Sequence, residues 1–207
     1  MGDVEKIPSA VMRCYAYTLP CMVRIQIQIA LGLISAEIDT QRAPITASNF
    51  LRYIDEGAFD GGNFWRTVRM DNQPDVAHKV EVIQAIVAPV FEQKLHSPIA
   101  LERTRDTGLR HVDGTLSMSR FGVDTAQSAF FICINDQPEL DFGGRRYPDG
   151  QGFAAFGRVI EGMDVARRIQ QSPCSVQGGD PTPEYAQVSY QRLTPPIEIV
   201  RIARENL

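Results

Sequence analysis

The sequence predicts a mainly β protein, a barrel or sandwich of short strands with two amphipathic helices. Apolar and polar residues alternate in several short runs, which clusters of Gly, Asp and Pro separate. Helical spacing of apolar residues is found in only two stretches. The chain has 207 residues, 43% hydrophobic and 22% charged, so it can bury a full core without disulfides or metals. One folded domain is therefore expected.

The first predicted element is an antiparallel hairpin over residues 23–39. Apolar residues occupy the odd positions of 23–29 and the even positions of 34–38, and Gly32 marks the turn between the two runs. A helix follows over residues 45–56, because apolar side chains recur from Ala47 at i, i+3, i+4 and i+7. Gly57 stands where a helix terminator is expected.

The rest of the chain returns to short strands and one more helix. The five strands predicted next cover residues 63–68, 80–84, 115–119, 129–134 and 153–160. A second helix is predicted over 162–170, and a last strand over 197–202. Residues 172–196 are rich in Pro, Gly, Ser and Gln and are predicted to form an exposed loop. The expected organisation is an N-terminal arm of residues 1–22 and a domain of residues 23–207.

The charge pattern argues against nucleic acid and membrane partners. Lys and Arg number 21 against 25 Asp and Glu, and the basic residues are scattered, so a nucleic-acid surface is not expected. The charge-free stretch at 25–36 is too short to span a bilayer. The N-terminus is acidic where a secretory leader is basic. A cytoplasmic location is therefore expected, with a periplasmic one left open if a leader has been removed.

Conventional catalytic and metal-binding patterns are absent from the sequence. There is no Cys-x-x-Cys pair, phosphate-binding loop or nucleophile elbow, so neither a zinc site nor a cofactor is expected. Cys133 or Ser128 could form a nucleophile pair with His111, but a buried strand cysteine and a loop histidine are the favoured interpretation. Whether Cys14 and Cys21 form a disulfide stays open.

Several motifs nevertheless carry a family resemblance. They are NFLRYIDEGAFDGGNFWR at 49–66, GTLSMS at 114–119, SAFFI at 128–132, LDFG at 140–143 and FAAFGRVIEGM at 153–163. In order and spacing they resemble the cyclophilin-type peptidyl-prolyl cis-trans isomerases, from Val23 to about Ile202. The resemblance implies a closed eight-stranded antiparallel β-barrel capped by two α-helices. It also implies a monomer that acts on proline-containing peptides and on unfolded or folding client proteins.

The resemblance assigns candidate site residues one by one. Arg66 falls on the catalytic arginine of the family, and Gln84 on the substrate-binding glutamine if an insertion after Val68 is allowed. Phe131, Leu140 and Phe153 fall on positions that line the proline pocket. On local pattern alone, Arg66 could instead be a solvated strand residue, and the two phenylalanines ordinary barrel core.

Other positions depart from the family pattern. Ala129 replaces a glutamine that binds the substrate backbone, and Trp65 replaces a histidine. Glu81 and Val82 fall where a Phe-Met pair completes the pocket, Phe153 replaces a His or Tyr, and Ala85-Ile86 replace Gly-Gly. Glu139 stands where strong cyclosporin binders have a tryptophan, so weak cyclosporin binding is expected.

The chemistry of prolyl isomerisation needs no acid, base or nucleophile. The barrier arises from amide resonance, which weakens when the nitrogen lone pair is localised by a donor such as a guanidinium. The resemblance, together with a reaction that needs none of the conventional catalytic groups, therefore predicts a prolyl isomerase. The alternative is a module that binds proline-containing peptides and catalyses little. A barrel that binds a small molecule in its lumen is disfavoured, because large apolar residues are expected to fill it.

Overall fold

The computed structural model describes residues 22–74, 76–175 and 190–205. Eight antiparallel strands close into a barrel in the order β1-β2-β7-β5-β6-β4-β3-β8. They are β1 (Met22–Ile29), β2 (Gly32–Asp39), β3 (Asn63–Val68), β4 (Val82–Ile86), β5 (Thr115–Met118), β6 (Phe130–Cys133), β7 (Ala154–Glu161) and β8 (Arg192–Arg204). The expected eight-stranded closed barrel is thus confirmed.

Two longer helices pack on the barrel, as the apolar spacing predicts. Helix α1 (Pro44–Asp55) buries Phe50, Leu51 and Ile54, and helix α3 (Met163–Gln171) buries Val165, Ala166 and Ile169. Between them in sequence lies α2 (Thr104–Thr107), which is a single turn. The sequence did not predict α2 or the 3-10 turns at Pro89–Lys94 and Pro138–Leu140. Single turns have too few residues to show an apolar period.

Aromatic side chains fill the main core. Phe50 contacts Phe59, Phe130 and Phe156, with ring centroids 4.9–5.4 Å apart, and Phe64 packs edge-on to Phe130 at 6.2 Å. All five rings are fully buried. This packing agrees with the expectation that the barrel interior is core rather than a ligand cavity.

Strands β4 and β8 differ most from their predicted bounds, and β5, β6 and β7 differ by one residue at one or both ends. Val80 was predicted to begin β4, but that strand starts at Val82. Val80 is nevertheless buried. Its backbone groups are paired with the Gln73 side chain, which accepts from the Val80 N–H at 3.3 Å and donates to the Val80 carbonyl at 2.8 Å. Strand β8 begins at Arg192, within the predicted loop of 172–196. Pro195 and Pro196 conceal its start, because proline cannot donate to a ladder.

The strand register brings four polar and aromatic positions into one row. Arg66 pairs with Gln84, Gln84 with Phe131, and Phe131 with Ser117, across β3, β4, β6 and β5. Directly paired residues lie on the same face of a sheet. Sequence positions 66, 84 and 131 therefore share a face because the barrel closes in this order.

Among the described residues, no helix is both long and apolar enough to cross a membrane. Cys14 and Cys21, whose pairing the sequence left open, lie outside the described residues.

Candidate active site

Arg66 lies on β3, and glutamine side chains hold its guanidinium. Nη1 donates to Oε1 of Gln84 at 3.0 Å. Nε and Nη2 both donate to Oε1 of Gln191, at 2.9 and 2.6 Å. Gln191 is itself buried, and its Nε2 donates to the carbonyl of Asn72 at 3.0 Å. These contacts leave N–H groups on both Nη atoms without a protein acceptor among the described residues.

The charge on Arg66 has no carboxylate partner in the described part of the chain. Burial, with a smaller contribution from the nearby cation of Arg146, lowers the pKa of Arg66 to about 10. The side chain therefore remains protonated at neutral pH. Because its acceptors are neutral amides, the guanidinium keeps its full charge in a partly desolvated place.

An apolar cluster separate from the main core lies on the same face as Arg66. Phe131 and Leu140 are buried in it with Val68, Val80, Val82 and Cys133. Phe153 packs edge-on against Phe131 with ring centroids 5.5 Å apart, and its N–H donates to the carbonyl of Leu140 at 3.0 Å. The three predicted pocket residues are thus brought together, and neither phenylalanine belongs to the main core.

A buried arginine braces the segment that leads to Phe153. Arg120 lies 5.0 Å from the Phe153 ring and 4.6 Å from that of Tyr147. Its guanidinium donates to both carboxylate oxygens of Asp149, at 2.7 and 2.8 Å, and to the carbonyl of Gly152 at 2.8 Å. Unlike Arg66, Arg120 therefore has a carboxylate partner, which agrees with a structural role.

Behind Phe131 lies a buried polar network. His111 Nδ1 is 2.8 Å from Oδ1 of Asp141, and Nε2 is 2.9 Å from Oγ of Ser117. An ionised carboxylate cannot donate, so Nδ1 carries the proton, and Nε2 of the neutral ring accepts from Ser117. Burial lowers the pKa of His111, although Asp141 opposes that shift. The His111 ring lies nearly parallel to that of Phe131, at 6.1 Å.

This network is not the nucleophile pair that the sequence left open. The His111 ring is hydrogen-bonded to Ser117 and Asp141, and no hydrogen bond joins it to Cys133 or Ser128. The Ser117, His111 and Asp141 side chains are almost wholly inaccessible, so no substrate reaches the hydroxyl. Burial also raises the pKa of the Cys133 thiol well above its usual value, which disfavours a thiolate.

The positions that depart from the family pattern have different surroundings. Glu81 accepts from Gln170 at 3.0 Å and from Asn135 at 2.9 Å, whereas its neighbour Val82 joins the apolar cluster. The nearby Gln127 does not replace the glutamine missing at Ala129, because its side chain donates to the carbonyl of His96 at 2.8 Å. The apolar cluster is therefore retained, whereas the amide of the family pattern is absent at position 129.

Sequence reasoning missed two residues of the site. Gln191 falls in the segment predicted as an exposed loop, and nothing periodic in the sequence marks it as buried. Arg146 follows Arg145 in a Gly-rich segment, where a solvated pair is the ordinary interpretation. The one available signal for Gln191 was its place directly before the alternation that continues into the last strand.

Comparison with known proteins identifies relatives over most of the chain. The family profile described as Cyclophilin type peptidyl-prolyl cis-trans isomerase/CLD matches residues 22–202. Peptidyl-prolyl cis-trans isomerase A of Dickeya dadantii is 32% identical over 157 residues, which cover 75% of each chain. Peptidyl-prolyl cis-trans isomerase cyp18 of Streptomyces antibioticus is 31% identical over 72% of this chain and 84% of its own.

Solved structures share the fold. The crystal structure of a cyclophilin type peptidyl-prolyl cis-trans isomerase of Cryptosporidium parvum superposes with a TM-score of 0.66 at 18% identity. The match covers 90% of this chain and 99% of that one. A further structure of that protein was determined in the presence of the dipeptide Ala-Pro.

Proposed function

The chain belongs to the cyclophilin-type peptidyl-prolyl cis-trans isomerases, and on that premise we propose that Arg66 is its catalytic residue. Gln84 and the pocket of Phe131, Leu140 and Phe153 would bind an X-Pro peptide. The observation that carries this proposal is the guanidinium of Arg66. It is charged, is held by neutral oxygens, has N–H groups that no described residue accepts, and lies on the same face as an apolar cluster.

The arrangement suits a reaction whose barrier is amide resonance. In the twisted transition state, the prolyl nitrogen lone pair is no longer delocalised into the carbonyl and becomes a hydrogen-bond acceptor. An N–H of Arg66 would donate to that lone pair, whereas the planar ground-state nitrogen offers no such acceptor. The contact is therefore stronger in the transition state, which is the condition for catalysis.

Arg66 alone does not supply the whole acceleration. A 10⁵-fold effect requires about 7 kcal/mol at roughly 1.4 kcal/mol per decade. A hydrogen bond to a charged group contributes about 1.5–3 kcal/mol. Placement of the pyrrolidine ring in the apolar pocket and exclusion of water would provide the remainder, because both strengthen the donor and orient the substrate.

A module that only binds proline-containing peptides is the second candidate. The missing amide at Ala129 and the phenylalanine at position 153 favour it, since both weaken recognition of the substrate backbone. A proline ring alone, however, gives no reason for a desolvated guanidinium beside its pocket. The geometry of Arg66 therefore supports catalysis better than binding alone.

The test is NMR exchange spectroscopy on a capped X-Pro peptide with wild type and Arg66→Ala. We expect wild type to accelerate exchange and the variant to lose at least tenfold in kcat/KM while it remains folded. Arg66→Lys, which keeps the charge without the planar fork, should also be impaired. Arg201→Ala, an exposed arginine on β8, is the matched control. Equal rates for wild type and Arg66→Ala would refute the assignment of Arg66.

A further inference from the structure

Between β3 and β4, the described residues 69–74 and 76–79 are tied to both the Arg66 side chain and the apolar cluster. Gln191, which holds Arg66, donates to the carbonyl of Asn72. The next residue, Gln73, is buried, and its Oε1 accepts from Nη1 of Arg146 at 2.7 Å. Arg66 and Arg146 are therefore anchored to adjacent residues of one segment.

The backbone of Arg146 lies against the pocket. Its N–H donates at 3.2 Å to the carbonyl of Glu139, the residue before Leu140. Its Nη1 also donates to the carbonyl of His78 at 3.2 Å. Burial lowers the pKa of Arg146, and its charge in turn lowers that of Arg66, which agrees with two cations close together. Arg146 thus lies between the proline pocket and the segment that holds Arg66.

The positive charge of this pair is not compensated within the described residues. The acceptors of both guanidiniums are amide or backbone oxygens, and Nε and Nη2 of Arg146 contact no acceptor there. The carboxylates near Arg146 in sequence have other partners: Asp149 accepts from Arg120, and Asp141 is bound to His111. Glu139 is held by Arg145, whose N–H and Nη2 each donate to it at 2.8 Å. Glu81 is directed to Asn135 and Gln170. The described carboxylates near Arg146 in sequence are thus already engaged.

Two close, partly desolvated cations that have no counter-charge among the described residues favour an anionic ligand. Each guanidinium raises the electrostatic free energy of the other. A bound carboxylate offsets both their mutual repulsion and their lost hydration. We propose that Arg146 is a specificity-determining residue that selects X-Pro peptides carrying an acidic side chain next to the proline. This inference rests on the proposed function, because it places the peptide at Arg66 and the apolar cluster.

The experiment compares capped peptides that differ in one residue, with Glu, Gln or Lys placed directly before or directly after proline. We expect wild type to prefer Glu over Gln in kcat/KM by about three- to tenfold at one of the two positions, as a single partly exposed charge contact allows. The Lys peptide should fall below the Gln peptide there. A Glu-to-Gln ratio of one or less at both positions in wild type would overturn the proposal.

Variants then assign the preference to Arg146. Arg146→Gln should bring the ratio close to one while the Gln peptide is still turned over, and Arg146→Lys should keep part of the preference. Arg201→Gln makes the same change of net charge at an exposed site on β8 and should leave the ratio unchanged. A ratio that persists in Arg146→Gln contradicts the assignment.

A measurement on wild type alone tests the proposal even if Arg146→Gln does not fold. Because the contact is electrostatic, the Glu-to-Gln ratio should fall as KCl is raised to about 0.5 M, where charges are screened within a few ångströms. A ratio that does not depend on salt excludes a charge contact. Failure of the proposed function is distinguishable, because wild type would then turn over none of the peptides.

Discussion

Gln191 Oε1 accepts from both Nε and Nη2 of Arg66, although the two residues are 125 positions apart. One acceptor that bridges two nitrogens of a planar fork restricts rotation of the guanidinium. The other side of the fork is directed to Gln84. Gln191 thus sets the orientation of Arg66 without neutralising it.

Gln191→Leu should therefore lower activity through kcat more than through KM. We expect a loss of about tenfold, since a misdirected donor weakens a contact made in the transition state. The Nε–H resonance of Arg66 in a proton–nitrogen NMR spectrum should shift or broaden in the variant. Gln28→Leu, at an exposed position on β1, is the control. An unchanged kcat with an unchanged Arg66 resonance would mean that Gln191 is not a positioning residue.

Activity should be nearly constant from about pH 6 to 8 and decline above pH 9. The guanidinium of Arg66, whose pKa is about 10, donates only in its protonated form, so activity is present below that pKa and lost above it. The amide substrate does not titrate in this range. Circular dichroism at each pH separates the decline from unfolding. A bell-shaped profile centred near neutrality would indicate acid–base chemistry.

His111→Asn should lower the free energy of unfolding at pH 7 by about 1–3 kcal/mol, because Asp141 and Ser117 each lose a buried partner. The difference from wild type should narrow as pH falls from 7 to 5. The folded-state pKa of His111 is lowered, so the unfolded chain binds a proton first and wild-type stability decreases on acidification.

Urea denaturation at several pH values measures this effect. His78 and His96 are present in both proteins and cancel in the difference. A gap that widens toward pH 5 would show that His111 is charged, not neutral, in the folded protein.

Cyclosporin should bind weakly, with a dissociation constant in the micromolar range or poorer. The hydrogen bonds from Arg145 lower the pKa of Glu139 to about 2, so this carboxylate is ionised and offers no donor where strong binders have an indole N–H. Glu139→Trp should tighten binding at least tenfold by calorimetry. Nanomolar affinity of the wild type would place the residues around Leu140 differently from the family alignment.

Local sequence patterns determined the architecture of this protein. The alternation in 23–39 and the apolar spacing from Ala47 indicate which side of each element is buried. This period can be read from residues close in sequence. The motif around Arg66 and the Phe-Phe pair carried the family resemblance. Gln84 could be named from sequence only by allowing an insertion, and the strand register places it opposite Arg66.

Closure of the barrel decided the remainder of the site. Gln191 reaches Arg66 because β8 pairs with β3, and Arg146 reaches Gln73 because two segments far apart in sequence meet beside the pocket. A glutamine or arginine in a Pro- or Gly-rich segment has no apolar period, so its burial is invisible in the sequence. Its hydrogen-bond partner is fixed by tertiary contacts, which decide whether a charge is solvated, paired or left for a ligand.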